Sequence, residues 1–168
     1  MHETKADLEI LQQLLDRSVE QAGEYLRECF QMPQHSLSAG QIVRRWQGFV
    51  TAAAATVTAK GEPRVAPVGS IFYRGQFHIP TVRNSSRAKH VVKRPGISLS
   101  YYDANDLALV VHGHGRILVP NDPEFDSLDG ILNQANGKGV LEWGDGIYIR
   151  ILADRFYTFA RYPEQFPG

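Results

Sequence analysis

The residue types best suited to chemistry lie in one stretch, "TVRNSSRAKHVVKRPG", which contains a predicted helix that must end before Pro95. Ser85 and Ser86 bring hydroxyl groups to the start of that helix, and Arg87 and Lys89 bring two positive charges to its first turn or so. A helix N-terminus presents free N–H groups and a partial positive charge, so cations there weaken an isolated helix. Donors and cations together at a helix start suit a bound phosphate.

Thr81 lies before this helix, and Lys93 and Arg94 lie at its end. Thr81, at the end of the preceding strand, could add one more hydroxyl to a phosphate site. Lys93 and Arg94 lie at the helix C-terminus, where positive charge suits the dipole and needs no ligand. The spacing alone leaves a second interpretation open. In that interpretation the first turn is a capped helix start whose basic residues are solvated.

Two histidines and two tyrosines are the other candidates for a site. His112 and His114 are two apart on a predicted strand, so their side chains share a face. A metal needs a third ligand, and no Asp, Glu or Cys nearby supplies one at a recognisable spacing, so we expect structural or pocket-lining histidines and no metal. Tyr101 and Tyr102 point to opposite faces, and one of them could flank a planar ring.

Composition restricts the class of protein. The chain has 168 residues, enough for one domain with a real core. It has 18 Lys plus Arg and 18 Asp plus Glu, so any anion site must be local, and we expect no nucleic-acid or membrane partner. Cys29 is the single cysteine, and the start lacks the apolar core of a signal peptide. These features predict a cytoplasmic protein.

The first third of the chain is predicted to be helical. Apolar residues recur at three- and four-residue steps over residues 5–31, which predicts one amphipathic helix, and a short second helix is predicted over residues 41–47. We therefore expect an N-terminal helical extension, residues 1–48. It either packs on its own domain or pairs with a partner chain.

The rest of the chain is predicted to be rich in strands. From Phe49 three strands form a meander, with "AKGEP" and "YRGQ" each placing a Gly where a hairpin loop needs positive φ. After the helix come a fourth strand, "GISLSYYD", and a fifth, "LALVVHGHGRILV". A helix in "NDPEFDSLDGILNQA" is predicted to have Asn121 or Asp122 as N-cap and Pro123 as its first residue. A last hairpin pairs "GIYIRIL" with "RFYTFARY". The short hairpins indicate a mostly antiparallel barrel or sandwich.

The order and spacing of these signals give a resemblance. The succession "TVTAKGEPRVAPVGSIFYRGQFHIPTVRNSSRAKHVVKRPGISLSYYD", followed by "GHGRIL", resembles the pyridoxamine 5′-phosphate oxidase-like split β-barrel proteins. The resemblance implies a mainly β fold, a six- to eight-stranded antiparallel split β-barrel with peripheral helices, over residues 49–168. It also implies a homodimer that binds FMN in a groove at the dimer interface. A related branch of the family binds the deazaflavin coenzyme F-420 in the same groove.

The resemblance also implies site residues. The cofactor phosphate is expected at the strand end and helix start, where the matching positions are Thr81, Ser85, Ser86, Arg87 and Lys89. Arg64 matches the strand that lies along the flavin. On that strand, backbone groups and small side chains beside the ring would come from Val65, Ala66, Pro67 and Val68.

The chain departs from the vitamin B6 oxidases of this family at three places. The end, "RYPEQFPG", lacks the arginine and histidine pair that holds the substrate phosphate in those oxidases. A glutamine that contacts the flavin falls at Val110 here, and the arginine–lysine pair at the helix start is Ser86-Arg87. These differences argue against pyridoxamine phosphate oxidation itself and leave the substrate open.

The predicted function is a flavin-dependent oxidoreductase that transfers hydride or electrons to or from a small planar substrate. Because the cofactor carries the hard chemistry, no acid–base motif is required in the sequence. A deazaflavin-dependent reductase is the alternative on the same fold. Two further alternatives stay open: a haem-binding or haem-degrading protein with His90, His112 or His114 as iron ligand, and a non-catalytic dimeric module that recruits a partner through the N-terminal helix.

Overall fold

The computed structural model describes residues 2–103 and 107–167, and in this part of the chain six strands close into an antiparallel barrel. The strands are Gly48–Val57 (β1), Pro63–Tyr73 (β2), Gln76–Val82 (β3), Gly96–Asp103 (β4), Leu107–Leu118 (β5) and Gly146–Ala160 (β6). Around the barrel they follow the order β1-β2-β3-β6-β5-β4. Helices surround this barrel, so the predicted mainly β barrel with peripheral helices is confirmed.

The barrel interior is filled by alternate residues of each strand. Phe77 and Ile79 of β3, Leu99 of β4 and Leu109 of β5 are all at most 1% exposed and belong to one hydrophobic core. Successive side chains of a strand point to opposite faces, so the intervening residues face outward. Which outward residues stay open to a ligand therefore depends on what covers the barrel.

Both predicted hairpins are confirmed, and each depends on glycine. Gly61 between β1 and β2 has φ +82°, and Gly75 between β2 and β3 has φ +73°. Arg74 before Gly75 also has positive φ, 50°, so the two central residues of the β2–β3 turn are left-handed, as in a type I′ turn. This turn fixes the register in which Tyr73 pairs with Gln76.

The predicted last hairpin is wrong, because "GIYIRIL" and "RFYTFARY" are parts of one strand, β6. Its first part pairs with β3 and it pairs with β5 along its length. A bulge interrupts the pairing with β5: His112 lies opposite Arg155 and Gly113 opposite Ala153, so Asp154 is an extra residue. The bulge bends the strand without reversing it, which lets one strand close the barrel.

The predicted single helix over residues 5–31 is also wrong. It is two helices, Lys5–Glu20 (α1) and Glu24–Cys29 (α2), with Gly23 in extended conformation as the N-cap of the second. Arg27 stabilises the break, because its side chain donates to the carbonyl oxygens of Glu20 at 2.6 Å and Ala22 at 3.0 Å. These bonds satisfy backbone acceptors that a continuous helix would have paired.

A third helix, Ala39–Arg45 (α3), begins two residues before the predicted start at residue 41. Ser38 and Gln41 form a capping box: Gln41 N donates to Ser38 Oγ at 3.3 Å, and Ser38 N donates to Gln41 Oε1 at 2.8 Å. No helix in the described ranges has both the length and the apolar character needed to cross a membrane.

The N-terminal helices pack on the barrel. Leu11 and Leu15 of α1 and Ile42 of α3 are at most 4% exposed and share one core with barrel residues. Polar contacts reinforce the packing: the backbone N–H of Phe156 donates to Ser18 Oγ at 2.9 Å, and Ala39 N donates to Gln12 Oε1 at 2.8 Å. The division of the chain at residue 48 stays a prediction.

Two more helices complete the fold, Ser86–Lys93 (α4) and Phe125–Asn136 (α5). The predicted start of α5 is wrong, because Glu124 is the N-cap and Phe125 the first helical residue. Asp122 closes a preceding turn, in which the N–H of Val119 donates to its Oδ2 at 2.7 Å. Helix α5 covers part of the outer barrel surface and forms a second core there, which includes Phe125, Leu128, Leu132, Ile71 and Tyr148.

Candidate functional site

The start of α4 is built by two of the predicted site residues. Ser85 is the N-cap, and its Oγ accepts a hydrogen bond from the N–H of Ala88 at 3.1 Å. Thr81, at 8% exposed, donates its hydroxyl to the same Ser85 Oγ at 3.0 Å. The two hydroxyls therefore connect the end of β3 to the first turn of α4. They fix the position of the helix N-terminus relative to the strand end.

A cavity of about 280 Å³ opens beside this helix start, between α4 and the neighbouring ends of β1 and β2. We call it the Arg87 cavity. Its lining consists of Thr56, Arg64, Val65, Ala66, Ser86, Arg87 and His90. Five of these belong to the predicted site, so the fold brings the β2 stretch and the helix start together. Its volume is near the lower end of the range for small-molecule sites.

Arg87 is the most unusual residue of the cavity. Its side chain is half-buried, and it makes no hydrogen bond or ion pair with any described residue. Burial lowers the pKa of its guanidinium, because the charged form loses hydration and no described residue compensates with an opposite charge. The other arginine of the cavity, Arg64, is exposed and contacts Glu62 at 2.8 Å. An anionic ligand would supply the partner that Arg87 lacks.

The surrounding sequence gives Arg87 no carboxylate. Residues 63–102 contain no Asp or Glu, although the whole chain has as many acidic as basic residues. The same segment contains seven basic residues: Arg64, Arg74, Arg83, Arg87, Lys89, Lys93 and Arg94. The balanced composition implied that any anion site must be local. The local positive charge is concentrated on the segment from β2 to the end of α4.

A second cavity of about 300 Å³ adjoins the first along α4. We call it the Lys93 cavity, and its lining consists of Val57, Ala59, Ser86, Lys89, His90, Lys93 and Arg94. It shares Ser86 and His90 with the Arg87 cavity. Lys89, Lys93 and Arg94 form no ion pair within residues 2–103 and 107–167. Lys89, predicted at the phosphate, thus lies in the neighbouring cavity.

His90 connects α4 to the barrel between these two cavities. Its Nδ1 lies 3.0 Å from Thr56 Oγ1, and Thr56 is only 3% exposed at the end of β1. Sequence reasoning assigned no role to Thr56. Its place beside α4 depends on the pairing of β1 with β4, which no local pattern reports.

The predicted flavin strand presents its residues to two different faces. Val65 is 72% exposed, and Pro67 is exposed on the same outer face. Val68 is 8% exposed and belongs to the barrel core. Val65 and Ala66 line the Arg87 cavity, whereas Val68 contributes to the fold behind it.

An uncovered region of the outer barrel surface continues from Val65 across β1, β4 and β5. The strand register aligns Val65, Ala55, Ser98 and His112 in one row. A hollow of about 450 Å³ lies in this region, and we call it the His114 hollow. Its lining consists of Ala55, Thr56, Val57, Pro63, Gly96, Ile97, Ser98, His112, Gly113, His114 and Asp154. Thr56 is common to this hollow and the Arg87 cavity.

Both predicted histidines are exposed in this hollow and have oxygen partners. His112 Nδ1 lies 2.8 Å from Ser98 Oγ, and His114 Nδ1 lies 2.8 Å from Asp154 Oδ2. Within the described ranges, no group of three or more His, Cys, Asp or Glu side chains is arranged to hold a metal. Asp154 was missed by sequence reasoning, since only the bulge in β6 turns it toward His114.

The arrangement is equipped for binding and poorly equipped for catalysis by side chains alone. The described residues that line the Arg87 cavity offer cations, hydroxyls and one imidazole but no carboxylate and no thiol. Such a set suits an anion, and redox or transfer chemistry would require a bound group. Tyr102 is 75% exposed and Tyr101 packs on Trp46, as expected for adjacent residues of a strand.

Comparisons with known proteins agree with this fold. The family model described as pyridoxamine 5′-phosphate oxidase matches residues 39–141. No curated protein matches the chain. The fold is similar to that of General Stress Protein 26 from Bacillus anthracis, at 18% identity and a TM-score of 0.58, over 71% of this chain and 91% of that one.

Two further solved structures have names that mention a ligand. One is called F-420 reductase, at 16% identity and a TM-score of 0.55, over 68% of this chain and 94% of that one. The other is HutZ, a heme storage protein from Vibrio cholerae, at 13% identity and a TM-score of 0.59, over 71% of this chain and 90% of that one. At these identities the likeness extends to the fold alone. The family model covers more than half of the chain, and the chain therefore belongs to the pyridoxamine 5′-phosphate oxidase family.

Proposed function

We propose that this protein is a flavin-dependent oxidoreductase that binds FMN with its phosphate in the Arg87 cavity. When bound, the flavin would accept or donate hydride, and the substrate would be a small planar compound. The differences from the vitamin B6 oxidases at Val110, at Ser86-Arg87 and at the C-terminus argue against pyridoxamine phosphate as that substrate.

The single observation that carries this proposal is the half-buried Arg87, which has no anionic partner among the described residues. A cation that loses hydration without gaining a counter-ion is unfavourable, and a phosphate monoester would restore the balance. Ser86 and the free N–H groups of the first turn of α4 provide further donors beside it. Thr81 and Ser85 hold that turn in place.

The outer barrel surface supports a homodimer with the cofactor at its interface. The uncovered region beside the Arg87 cavity includes small side chains outside the His114 hollow, among them Ala53 and Ser100, which pair across β1 and β4. Val65 stands at its edge with 72% of its surface exposed. A second copy seated on this region would bury these residues and enclose the open side of the cavity. Closing a cofactor site in this way excludes water from the ring.

The test is to purify the protein, record its visible spectrum and titrate it with FMN. We expect flavin fluorescence to be quenched saturably with one FMN per chain, because burial and stacking alter the ring environment. Riboflavin has the same ring without the phosphate, so it serves as the matched control and is expected to bind at least tenfold more weakly. Equal affinity for FMN and riboflavin would contradict a phosphate site at Arg87.

The Lys93 cavity favours a second candidate, the deazaflavin coenzyme F-420. This coenzyme carries an oligoglutamate tail beyond its phosphate, and Lys89, Lys93 and Arg94 line a cavity continuous with the phosphate site. Titration of the same preparation with F-420 and with FMN separates the two cofactors. Tighter binding of F-420, lost on Lys93→Gln and Arg94→Gln substitution, would assign the protein to the deazaflavin branch.

Haem is the third ligand that the same experiments must include. His112 and His114 are exposed in the His114 hollow, and the similar fold of HutZ belongs to a heme storage protein. A Soret band on haem addition that disappears in a single histidine variant would favour a haem protein over the flavin proposal. The flavin proposal predicts no such band.

A further inference from the structure

The His114 hollow is a second binding surface that the phosphate site does not use. Four of its polar side chains can donate a hydrogen bond, namely Thr56, Ser98, His112 and His114, and Thr56 is already paired with His90. Among the described residues of its lining the one carboxylate, Asp154, is engaged by His114. The rest of its lining is largely apolar, with Ala55, Val57, Pro63 and Ile97. Val65 and His112 lie at the two ends of the row, three inter-strand spacings or about 14 Å apart.

Asp154 reaches His114 because of a specific local structure. It is the extra residue of the β6 bulge, so its side chain is turned out of the regular alternation of the strand. Gly113 allows the two strands to approach at this point, since a Cβ there would lie 2.1 Å from the carbonyl oxygen of Leu152. The contact between Asp154 and His114 is thus built into the backbone of both strands.

The carboxylate controls which nitrogen of His114 is available. Asp154 accepts from Nδ1, which keeps a proton on that atom and leaves Nε2 as the atom that exchanges a proton. His114 is 58% exposed, so Nε2 is open to a ligand in the hollow. The partner of His112 is the hydroxyl of Ser98, which can donate or accept and therefore does not fix a tautomer. This difference singles out His114.

We propose that the His114 hollow is the substrate subsite and that His114, oriented by Asp154, exchanges a proton with the substrate. This inference rests on the proposed function, because the hydride comes from the reduced flavin or deazaflavin. An apolar surface with hydrogen-bond donors suits a flat molecule whose oxygen accepts hydrogen bonds. The substrate class is therefore a conjugated carbonyl compound.

In the proposed reduction, a bound reduced cofactor would supply a hydride to the β-carbon of the conjugated carbonyl compound, and the electrons of its C=C bond would move to give an enolate. The Nε2–H bond of the His114 imidazolium breaks and a C–H bond forms at the α-carbon. The products are the saturated carbonyl compound, the oxidised cofactor and a neutral imidazole, which regains a proton from water.

The role of Asp154 as a positioning residue can be tested without any cofactor. We expect ¹⁵N NMR of the histidine side chains to show neutral His114 with its proton on Nδ1, the signal being assigned by its loss in His114→Gln. In Asp154→Asn the population should move toward the Nε2–H tautomer, because an amide no longer requires a donor on Nδ1. Asp126→Asn, a matched change at an exposed site on α5, is the control. An unchanged tautomer in Asp154→Asn would overturn the proposal.

The role of His114 as the proton donor is tested in the loaded protein. Cofactor affinity is measured first, and we expect wild type and His114→Gln to bind the cofactor equally. Oxidation of the bound reduced cofactor by cyclohex-2-en-1-one is then followed by stopped flow in H₂O and D₂O. We expect a solvent isotope effect in wild type and a rate at saturating ketone about 100-fold lower in His114→Gln. His2→Gln, the same change at an exposed histidine outside the hollow, should stay within about threefold of wild type.

The outcomes separate the two proposals. A wild-type protein that binds neither FMN nor F-420 removes the proposed function, and this inference falls with it. A loaded wild-type protein that does not reduce the ketone overturns the substrate class while the cofactor proposal stands. Equal rates in wild type and His114→Gln overturn the proton-transfer role alone.

Discussion

At the scale of single residues, Arg87 links the fold to the proposed cofactor. Its backbone is held in the first turn of α4 by the Ser85 cap, and its guanidinium is half-buried without an anion within the described ranges. Other arginines near it are differently placed: Arg83 contacts Asp145 at 3.3 Å, and Arg64 contacts Glu62. Arg83 and Arg64 therefore serve as comparisons for Arg87, because each of them contacts a carboxylate.

We predict that Arg87→Ala weakens FMN binding by about 1.5–3 kcal/mol, roughly 10- to 150-fold, which is the range for a hydrogen bond to a charged group. Arg83→Ala removes the same side chain four residues earlier on the exposed surface and should leave FMN affinity unchanged. Fluorescence titration of both variants measures the effect. Unchanged affinity in Arg87→Ala would remove this residue from the site.

A second residue with an unusual environment is His78, which lines none of the three named cavities. It is 1% exposed under the start of α5, and its Nε2 lies 3.8 Å from Glu124 Oε2. Glu124 is already paired with Arg150, whose cation also faces the histidine. Burial, and then the charge of Arg150, lower the pKa of His78 to about 3. The folded protein therefore keeps this imidazole neutral.

This neutral histidine predicts a loss of stability in mild acid. Below the unfolded pKa of about 6.5 the unfolded chain binds a proton that the folded chain does not, so stability falls as pH decreases toward 3. Between pH 7 and pH 5 the contribution is about 2 kcal/mol of unfolding free energy. Urea unfolding at both pH values should show this decrease in wild type and a smaller one, by about that amount, in His78→Leu. Parallel decreases in the two proteins would refute the assignment.

At the scale of elements, strand β6 matters most for the site. A 15-residue strand that pairs with β3 and β5 closes the barrel, and its bulge places Asp154 beside His114. Gly113 on β5 lies opposite the bulge, where the neighbouring backbone leaves no space for a Cβ. Its φ is not positive, so glycine is required there for the close approach of the strands and not for a left-handed backbone. Gly130 on α5 has nothing within 4 Å of a Cβ and provides the opposite case.

We predict opposite effects of two glycine-to-alanine substitutions. Gly113→Ala should lower the melting temperature and disturb the His114 signal, because the added Cβ would meet the backbone of Leu152. Gly130→Ala should raise stability by up to about 1 kcal/mol, since alanine is favoured over glycine in a helix and the site is open. Thermal unfolding of both variants measures this. A Gly113→Ala protein as stable as wild type would mean that the bulge tolerates a side chain.

At the scale of the whole molecule, the barrel is covered unevenly. Helix α5 packs on one part of the outer surface, and the segment around Ala22 and Met32 covers Tyr157 on another. Between them the region with Ala53 and Ser100 stays uncovered beside the Arg87 cavity and the His114 hollow. A second copy is the occupant that the proposed function requires, since it would enclose the cofactor.

We predict that Ala53→Arg converts a dimer into a monomer, because a long cation in the small-residue region would prevent close approach. Ala6→Arg introduces the same side chain on the exposed face of α1 and should leave the dimer intact. Light scattering after size-exclusion chromatography gives the mass of each. FMN affinity should fall together with dimerisation in Ala53→Arg. A wild-type protein that is monomeric at all concentrations would refute the dimer.

The sequence determined those features that depend on neighbouring residues. The β1–β2 and β2–β3 hairpins follow from glycines that adopt positive φ at the turns. The helix α4 follows from the Ser85 cap and from Pro95, and the resemblance to the family, now established, rested on the order of such local signals. In each case the free energy that decides the conformation comes from within a few residues of chain.

The tertiary structure decided what depends on residues distant in sequence. One continuous β6 needed pairing with β3 and β5 to be preferred over a hairpin, and the break between α1 and α2 needed Arg27 to cap the first helix. The lack of a partner for Arg87 among the described residues and the contact of Asp154 with His114 likewise depend on which strands and helices meet. Burial and strand pairing are properties of the assembled barrel, so no local pattern of residue types could report them.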